Sequence, residues 1–208
     1  MKGKKDFQTD WREAVSCIQQ GGIAVLPTDT LYGIVASALS SKSVERVYNV
    51  REREYNKPCI ILLDAIETLA TFLHPKQYEQ YEHLLSCLWP GPISIILPVK
   101  GVRWEYLHRG KESLAFRIPG DKSLQEILAK TGPIIAPSAN KAGEDTAETV
   151  QEAKEIFRDA VDVYVDGGVQ KGNPSTLISL LDGNILFIRK GSMSKEEVQR
   201  RVGKKYSV

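Results

Sequence analysis

The chain has 208 residues, 42% of them hydrophobic, with 28 Lys and Arg against 26 Asp and Glu, for a formal net charge of +2. That length and apolar content suffice for one domain with a sizeable core, while so small a net charge excludes a general nucleic-acid or membrane binder driven by bulk electrostatics, leaving any basic function to local clusters. Cys17, Cys59 and Cys87 are odd in number and form no C-x-x-C pair, which argues against a disulfide framework or a zinc site. With no apolar run near the roughly 18 residues of a membrane span and no apolar signal core in MKGKKDFQTD, the expectation is a soluble protein of the reducing cytosol.

Along the chain, Asp10 and Glu13 form a capping-box pattern ahead of an apolar stripe of Trp11, Ala14, Val15 and Ile18, and Gly21-Gly22 ends that helix. Ile23–Leu26 reads as a buried strand and Gly33–Ala36 as a second. Lys42–Val50 reads as a helix with Val44, Val47 and Tyr48 inward. Cys59–Leu63 is a strand, Asp64 with Glu67 starts a short helix, and a longer one runs from about Lys76 to Leu88 until Trp89-Pro90-Gly91-Pro92 breaks it. Ile93–Leu97, Leu114–Ile118 and Ile134–Ala136 are strands, with a helix near Ser123–Lys130. Thr149 with Glu152 caps the next helix. Val163–Val165 and Leu177–Leu180 flank a Gly-rich turn, Ile185–Ile188 is the last strand, and Ser194 with Glu197 caps the terminal helix. This mixture predicts an α/β fold whose sheet is mixed, because too many strands are adjacent in sequence for a parallel one.

Four polar segments fall at the edges of apolar strands: PTDTLYG at 27–33, Arg51-Glu52-Arg53 followed by Lys57-Pro58, PSAN at 137–140, and GNPST at 172–176. Together with Arg117 and Arg189 they suggest one anion-binding site assembled from several strand ends. Each has a simpler reading as well. Pro, Ser and Asn form turns for local reasons, and the Arg51–Lys57 run could be a solvated cluster paired with Glu52 and Glu54. Arg51 and Arg53 can serve one ligand only if the helix has ended between them. Arg117 lies in an apolar strand whose neighbours Phe116 and Ile118 point to the other face, so its simplest reading is a solvent-facing side chain. Gly167 to Gly172 has P-loop spacing, but Asn173-Pro174 stands where the Lys must be. No G-x-S-x-G is present, and His74, His83 and His108 lack ligand spacing and are expected at the surface.

In this order, PTDTLYG, the basic pair with Lys57-Pro58, WPGP, FRIP at 116–119, PSAN, GNPST and IRKG at 188–191, the chain resembles the YrdC/TsaC-like threonylcarbamoyl-AMP synthases from about Gly21 to Gly191. The resemblance implies a single YrdC-like domain over 1–208, with a core of about 10–192, a short basic C-terminal helix or tail, and a twisted mixed sheet with flanking helices around a basic concave site. It implies condensation of L-threonine, bicarbonate or CO2, and ATP to threonylcarbamoyl-AMP with release of pyrophosphate. The product is then passed to a tRNA threonylcarbamoyl transferase complex. By match to the family, Thr30, Leu62, Arg117, Ala136 and Ser175 would hold threonine; Arg53, Lys57, Ser113, Ser138, Asn140, Thr146 and Arg189 would hold ATP; and Arg51 and Arg53 would be catalytic. Arg51 replaces a frequent Lys, Glu54 a frequent Pro, and Lys141-Ala142-Gly143 a more usual Ser-Gly. Mg2+ is expected with ATP because a few arginines leave much of the triphosphate charge unbalanced; Asp29 is the candidate ligand. The alternative is an RNA-binding or ribosome-maturation factor that holds tRNA or double-stranded RNA in the same basic groove.

Overall fold

The computed structural model describes residues 7–203 and 206. Helix α1 (Phe7–Gln19) leads into β1 (Ala24–Pro27), which returns antiparallel as β2 (Tyr32–Ser37) with Ala24 opposite Val35. Helix α2 (Ser41–Arg51) starts where Ser40 accepts the Ser43 N–H and stops at Glu52, whose left-handed φ of 52° turns the chain out of the helix. There follow β3 (Ile61–Leu62), α3 (Pro75–Glu79), α4 (Glu82–Leu88), β4 (Ile93–Pro98), α5 (Glu105–His108), β5 (Ser113–Arg117) and α6 (Lys122–Thr131). The chain closes with β6 (Ile134–Ile135), α7 (Val150–Phe157), β7 (Val163–Tyr164), β8 (Thr176–Ser179), β9 (Leu186–Arg189) and α8 (Lys195–Val202). The strands form one sheet in the order β7-β1-β2-β6-β3-β5-β4-β8-β9. It is mixed, as expected: β1 with β7, β3 with β5, and β4 with β8 are parallel, and the remaining pairs are antiparallel.

Because strand side chains alternate between faces, the sheet has two separate apolar layers. One gathers Val25, Ile34, Ile61, Ile95, Phe116 and Ile178 under side chains from α2, α4, α5, α7 and α8. The other holds Ala24, Leu26, Val35, Leu62 and Ile134 under Ala14 and Ile18 of α1 and Leu124 and Leu128 of α6. No side chain of β4, β5, β8 or β9 belongs to this second layer. Half of one sheet face is therefore left without a helical cover, and it is here that the functional cavity lies.

Several sequence expectations shift. α1 is already helical at Phe7, so Asp10 lies inside it; D-x-x-E is itself a helical spacing and does not fix an end. The helix expected over Lys76–Leu88 is two, with the break at Gln80–Tyr81, where the Tyr81 hydroxyl donates to the Leu180 carbonyl (3.2 Å) and a tertiary contact overrides local propensity. Asp64 does not cap the turn Ile66–Thr71; its carboxylate accepts from the Thr68 hydroxyl instead. His74 and His83 are exposed, but His108 is buried, with Nδ1 accepting the Gly110 N–H at 3.2 Å. Ser194 and Thr149 cap α8 and α7 as anticipated. Of the basic tail Arg200–Lys205, the first part lies in α8, and Lys204 and Lys205 lie outside the described residues.

Close backbone approaches lock the segments around the cavity. A Cβ on Gly191 would collide with the backbone of Pro174, Ser175 and Thr176, and one on Gly172 with the Thr30 carbonyl, so both segments need glycine for contact rather than for φ. Gly191→Ala is expected to lower stability by about 1–3 kcal/mol through overpacking. Gly120→Ala, where an added Cβ meets nothing within 4 Å, should stay within about 0.5 kcal/mol of the parent. Urea unfolding midpoints of the two variants check the contrast.

Candidate active site

The uncovered half of the sheet face forms the base of an open cavity of about 1080 Å³. Ile96 of β4, Ala115 and Arg117 of β5, Leu177 of β8, and Ile188 and Arg189 of β9 reach it from the strands; the 28–33, 53–60, 136–138 and 174–175 segments form its walls. Of the residues singled out from the sequence, Thr30, Arg53, Lys57, Ser113, Arg117, Ala136, Ser138, Thr146, Ser175 and Arg189 all line this one cavity. The site thus spreads across a sheet face as well as along strand ends.

Arg117 is not solvent-facing. It is 3% exposed, with Nη2 3.1 Å from Asp29 Oδ1 and Nη1 donating to Thr30 Oγ1 at 3.2 Å. Thr28 Oγ1 lies 3.1 Å from the same Thr30 hydroxyl. Burial pulls the Arg117 pKa down and the Asp29 carboxylate raises it again; a guanidinium nevertheless keeps its charge in a protein. Its Nε is buried and has no hydrogen-bond partner among the described residues. A buried donor left in that condition costs about 1–3 kcal/mol, which an anionic ligand in the cavity would offset. Beside it, Ser175 is 2% exposed, its hydroxyl 2.9 Å from that of Ser94, and Arg189 Nη2 donates to the Ser175 carbonyl at 2.9 Å. Arg189 is thereby oriented by the GNPST segment.

The left-handed residue Glu52 separates the fates of the two neighbouring arginines. Arg53 lines the cavity, with Nε donating to the Lys57 carbonyl and Nη2 to the Pro58 carbonyl, both at 2.9 Å. Arg51 turns the other way. At 3% exposure it donates from Nε to the Asn140 carbonyl (2.9 Å) and from Nη2 to Asn140 Oδ1 (2.8 Å) and Ser138 Oγ (3.3 Å). Burial, with the neighbouring Arg53 charge, draws its pKa down to about 10. Arg51 and Asn140, expected beside Arg53 on one ligand, are bonded to one another and to Ser138 and are not among the residues that line the cavity. Asn140 is fully engaged, accepting from Arg51 and Ser138 and donating to the Lys141 and Glu144 carbonyls. Leu62 likewise is not among the lining residues. It pairs with Arg117 across β3 and β5 but is fully buried in the apolar layer with Leu124 and Leu128.

Sequence reasoning missed Lys111 and the apolar wall of Ile96, Leu177, Leu181 and Ile188. The wall had a signal: β4 is apolar at the consecutive positions Ile95, Ile96 and Leu97, the pattern of a strand covered on both faces, and here one of those faces borders the cavity. Among the described residues no three His, Cys, Asp or Glu side chains gather as a metal cage. At Asp29, the candidate Mg2+ ligand, Oδ1 lies 3.1 Å from Arg117 Nη2 and Oδ2 accepts the Gly120 N–H at 3.2 Å, so a metal there would compete with both contacts. Neither Cys59, fully buried and pushed up by desolvation, nor Cys17, pushed up to about 11 chiefly by burial, is an activated thiolate.

This architecture is that of a small-molecule site on an α/β sheet, with guanidinium, ammonium and hydroxyl groups set into an apolar lining. The chain belongs to the Sua5/YciO/YrdC family, whose model, described as telomere recombination, matches residues 16–191. It is 31% identical over 194 residues to the threonylcarbamoyl-AMP synthase of Pyrococcus abyssi, covering 92% of this chain and 57% of that protein. It is 32% identical to a putative threonylcarbamoyl-AMP synthase of Methanocaldococcus jannaschii, over 88% of this chain and 86% of that one. The crystal structure of P. abyssi Sua5 complexed with L-threonine superposes with a TM-score of 0.85 at 28% identity, over 97% of this chain and 59% of that one. The chain thus spans somewhat over half the length of the P. abyssi protein.

Arg51→Met keeps the apolar stem but removes three donors from buried acceptors. It is expected to reduce stability by about 1.5–3 kcal/mol, the scale of hydrogen bonds to a charged group, as read from the urea midpoint. An unchanged midpoint would place the side chain in the cavity instead.

Proposed function

We propose that this chain synthesises L-threonylcarbamoyladenylate from L-threonine, bicarbonate or CO2, and MgATP. The observation that carries the reading is one cavity that gathers a buried guanidinium, further cations and hydroxyl groups. At the base lie Arg189 and a buried Arg117 with an unpartnered Nε, near the Thr30 and Ser175 hydroxyls; along the walls stand Arg53, Lys57 and Ser138. Relatives named for this activity and a related structure holding L-threonine support it.

In this reading the threonine carboxylate pairs with Arg117, for which a planar guanidinium is suited, and Thr30 and Ser175 orient the amino acid. The free amine adds to CO2, losing a proton to water, and becomes a carbamate. A carbamate oxygen then attacks the α-phosphorus as the bond to the departing pyrophosphate breaks. Arg53, Lys57 and Arg189 bear on the oxygens where charge gathers, and Ser113, Ser138 and Thr146 supply neutral hydrogen bonds. Such a displacement asks for positioning and charge stabilisation rather than a covalent nucleophile, consistent with a cavity that no cysteine lines. Mg2+ enters as part of the MgATP substrate. The product then passes to a tRNA threonylcarbamoyl transferase complex in the cytoplasm. An RNA-binding function is less well supported, since the cations surround a walled cavity rather than an exposed track.

Pyrophosphate release is expected to require L-threonine and bicarbonate together; equal release without threonine would leave only a generic ATPase. Arg117→Ala should weaken threonine binding by about 2–4 kcal/mol, the scale for removing one partner of a desolvated charge pair, with MgATP binding largely retained. Calorimetry on the variant, with its fold checked by circular dichroism, decides the role.

A further inference from the structure

Tyr55 sits in the middle of the 52–57 segment that carries Arg53 and Lys57, and it is 65% exposed. An aromatic side chain so exposed contributes little to the core, yet its ring has a defined partner. The Arg109 guanidinium lies 4.1 Å from the centroid of the Tyr55 ring and 4.1 Å from that of Tyr48. It is thus flanked by a ring fixed on α2 and a ring on the loop. The Arg109 side chain is fully buried, and its Nη1 lies 2.7 Å from Glu45 Oε1, also on α2. Arg109 itself is fixed in the left-handed conformation, with φ 52°, that ends α5.

Two walls of the cavity meet at this stack. Arg109 stands just ahead of Lys111 and Ser113, which line one wall; Tyr55 lies between Arg53 and Lys57, which line another. Around the stack, the Tyr48 hydroxyl donates to the Lys57 carbonyl at 2.8 Å, and that carbonyl also accepts from Arg53 Nε. The segment is therefore tied to α2 at its start and at Lys57. Between those points, the side chain of Tyr55 reaches the α5 to β5 stretch through its contact with Arg109.

We infer that the Tyr48–Arg109–Tyr55 stack is a latch that sets the position of Arg53 and Lys57 relative to the Lys111–Ser113 wall, so that Arg109 and Tyr55 act as positioning residues for the bound triphosphate. This rests on the reading of the cavity as a nucleotide site. The physical basis is that a guanidinium between two aromatic faces, cut off from water, gains more than an exposed cation and ring would. Preorganising the two cations also avoids an ordering cost at the moment of binding. A lysine at 109 could not serve in the same way, because a compact ammonium lacks the planar faces that stack on two rings at once.

The test compares Tyr55→Ala, Tyr55→Phe and Arg109→Lys with the parent chain. In Tyr55→Ala, the Kd for MgATP measured by calorimetry should rise about tenfold, within the range of a desolvated cation–aromatic contact. The Kd for L-threonine and the thermal midpoint should stay at the parent values. Tyr55→Phe, which keeps the ring face, should bind MgATP as the parent does; Arg109→Lys should match Tyr55→Ala in its Kd for MgATP and, because it also disturbs the buried contacts with Glu45 and Tyr48, should lower the thermal midpoint as Tyr55→Ala does not. Hydrogen exchange of the 52–58 amides in the ligand-free protein supplies an independent readout: it should quicken in Tyr55→Ala and not in Tyr55→Phe. Unchanged exchange in Tyr55→Ala, or MgATP and threonine affinities falling in parallel with the thermal midpoint, overturns the latch. A parent chain that binds no MgATP overturns the nucleotide reading instead, and the exchange data alone then decide whether the latch exists.

Discussion

A strand sends its side chains alternately to two faces, so a sheet of nine strands must be covered on both or leave apolar surface to water. In this protein five helices supply one layer, but only α1 and α6 supply the other, and their cover ends at β3. Most of the functional geometry follows from that shortfall. Residues of β4, β5, β8 and β9 that would otherwise have packed beneath a helix instead surround an open cavity. Arg117 is the sharpest expression of it: a charge in the middle of an apolar sheet, tolerable because Asp29 and Thr30 meet it from the β1–β2 turn. A cation so placed is costly to leave partly unsatisfied, and the remaining donor gives the cavity a preference for an anionic partner.

The surrounding loops are held by contacts that tolerate little variation. The Tyr32 hydroxyl both accepts from the Gly167 N–H (2.8 Å) and donates to the Gly168 carbonyl (2.9 Å), fixing the Gly-rich turn against β2. That turn leads to Gly172, which presses on the Thr30 carbonyl, so the PTDTLYG and GNPST segments position one another. Arg51 does the same for α2 and the PSAN segment, joining them by three side-chain bonds and by the Ala142 N–H to its own carbonyl at 2.8 Å. Irregular segments can present a preorganised charge pattern only when such cross-links remove their freedom before the ligand arrives.

The sequence made the strands and helices legible because their apolar periodicities are strong. Val44, Val47 and Tyr48 do face the core, and the caps at Thr149 and Ser194 fall where expected. Local spacing misled where it is ambiguous in principle, as at Asp10, or where a distant partner decides, as at Tyr81 and Asp64. The site residues were found largely through motif order. Arg51 shows the limit of that approach: a motif specifies that a cation stands before Arg53, but not that a left-handed Glu52 sends its side chain under Ser138 rather than over it. Leu62 shows a second limit, since sharing a sheet face with Arg117 does not place it in the cavity when α6 covers one of the pair and not the other. The buried His108 and the Arg109 stack were invisible because neither carries a local pattern.

The division of labour among the cations follows from their surroundings. Arg117 is dry, held at two points, and shaped to recognise a planar anion in one orientation, which is the requirement for selecting a substrate. Lys57 is largely exposed and paired with Glu54 at 2.5 Å; an ion pair so exposed is worth little in water, so its ammonium can exchange Glu54 for phosphate oxygens at small cost. Arg53 lies between these cases, its stem fixed by two backbone carbonyls while its charge still reaches the cavity. A buried, rigidly held Arg117 and an exposed, weakly paired Lys57 suit the proposed reaction, in which a small substrate must be placed accurately while the charge on a polyphosphate changes as pyrophosphate departs.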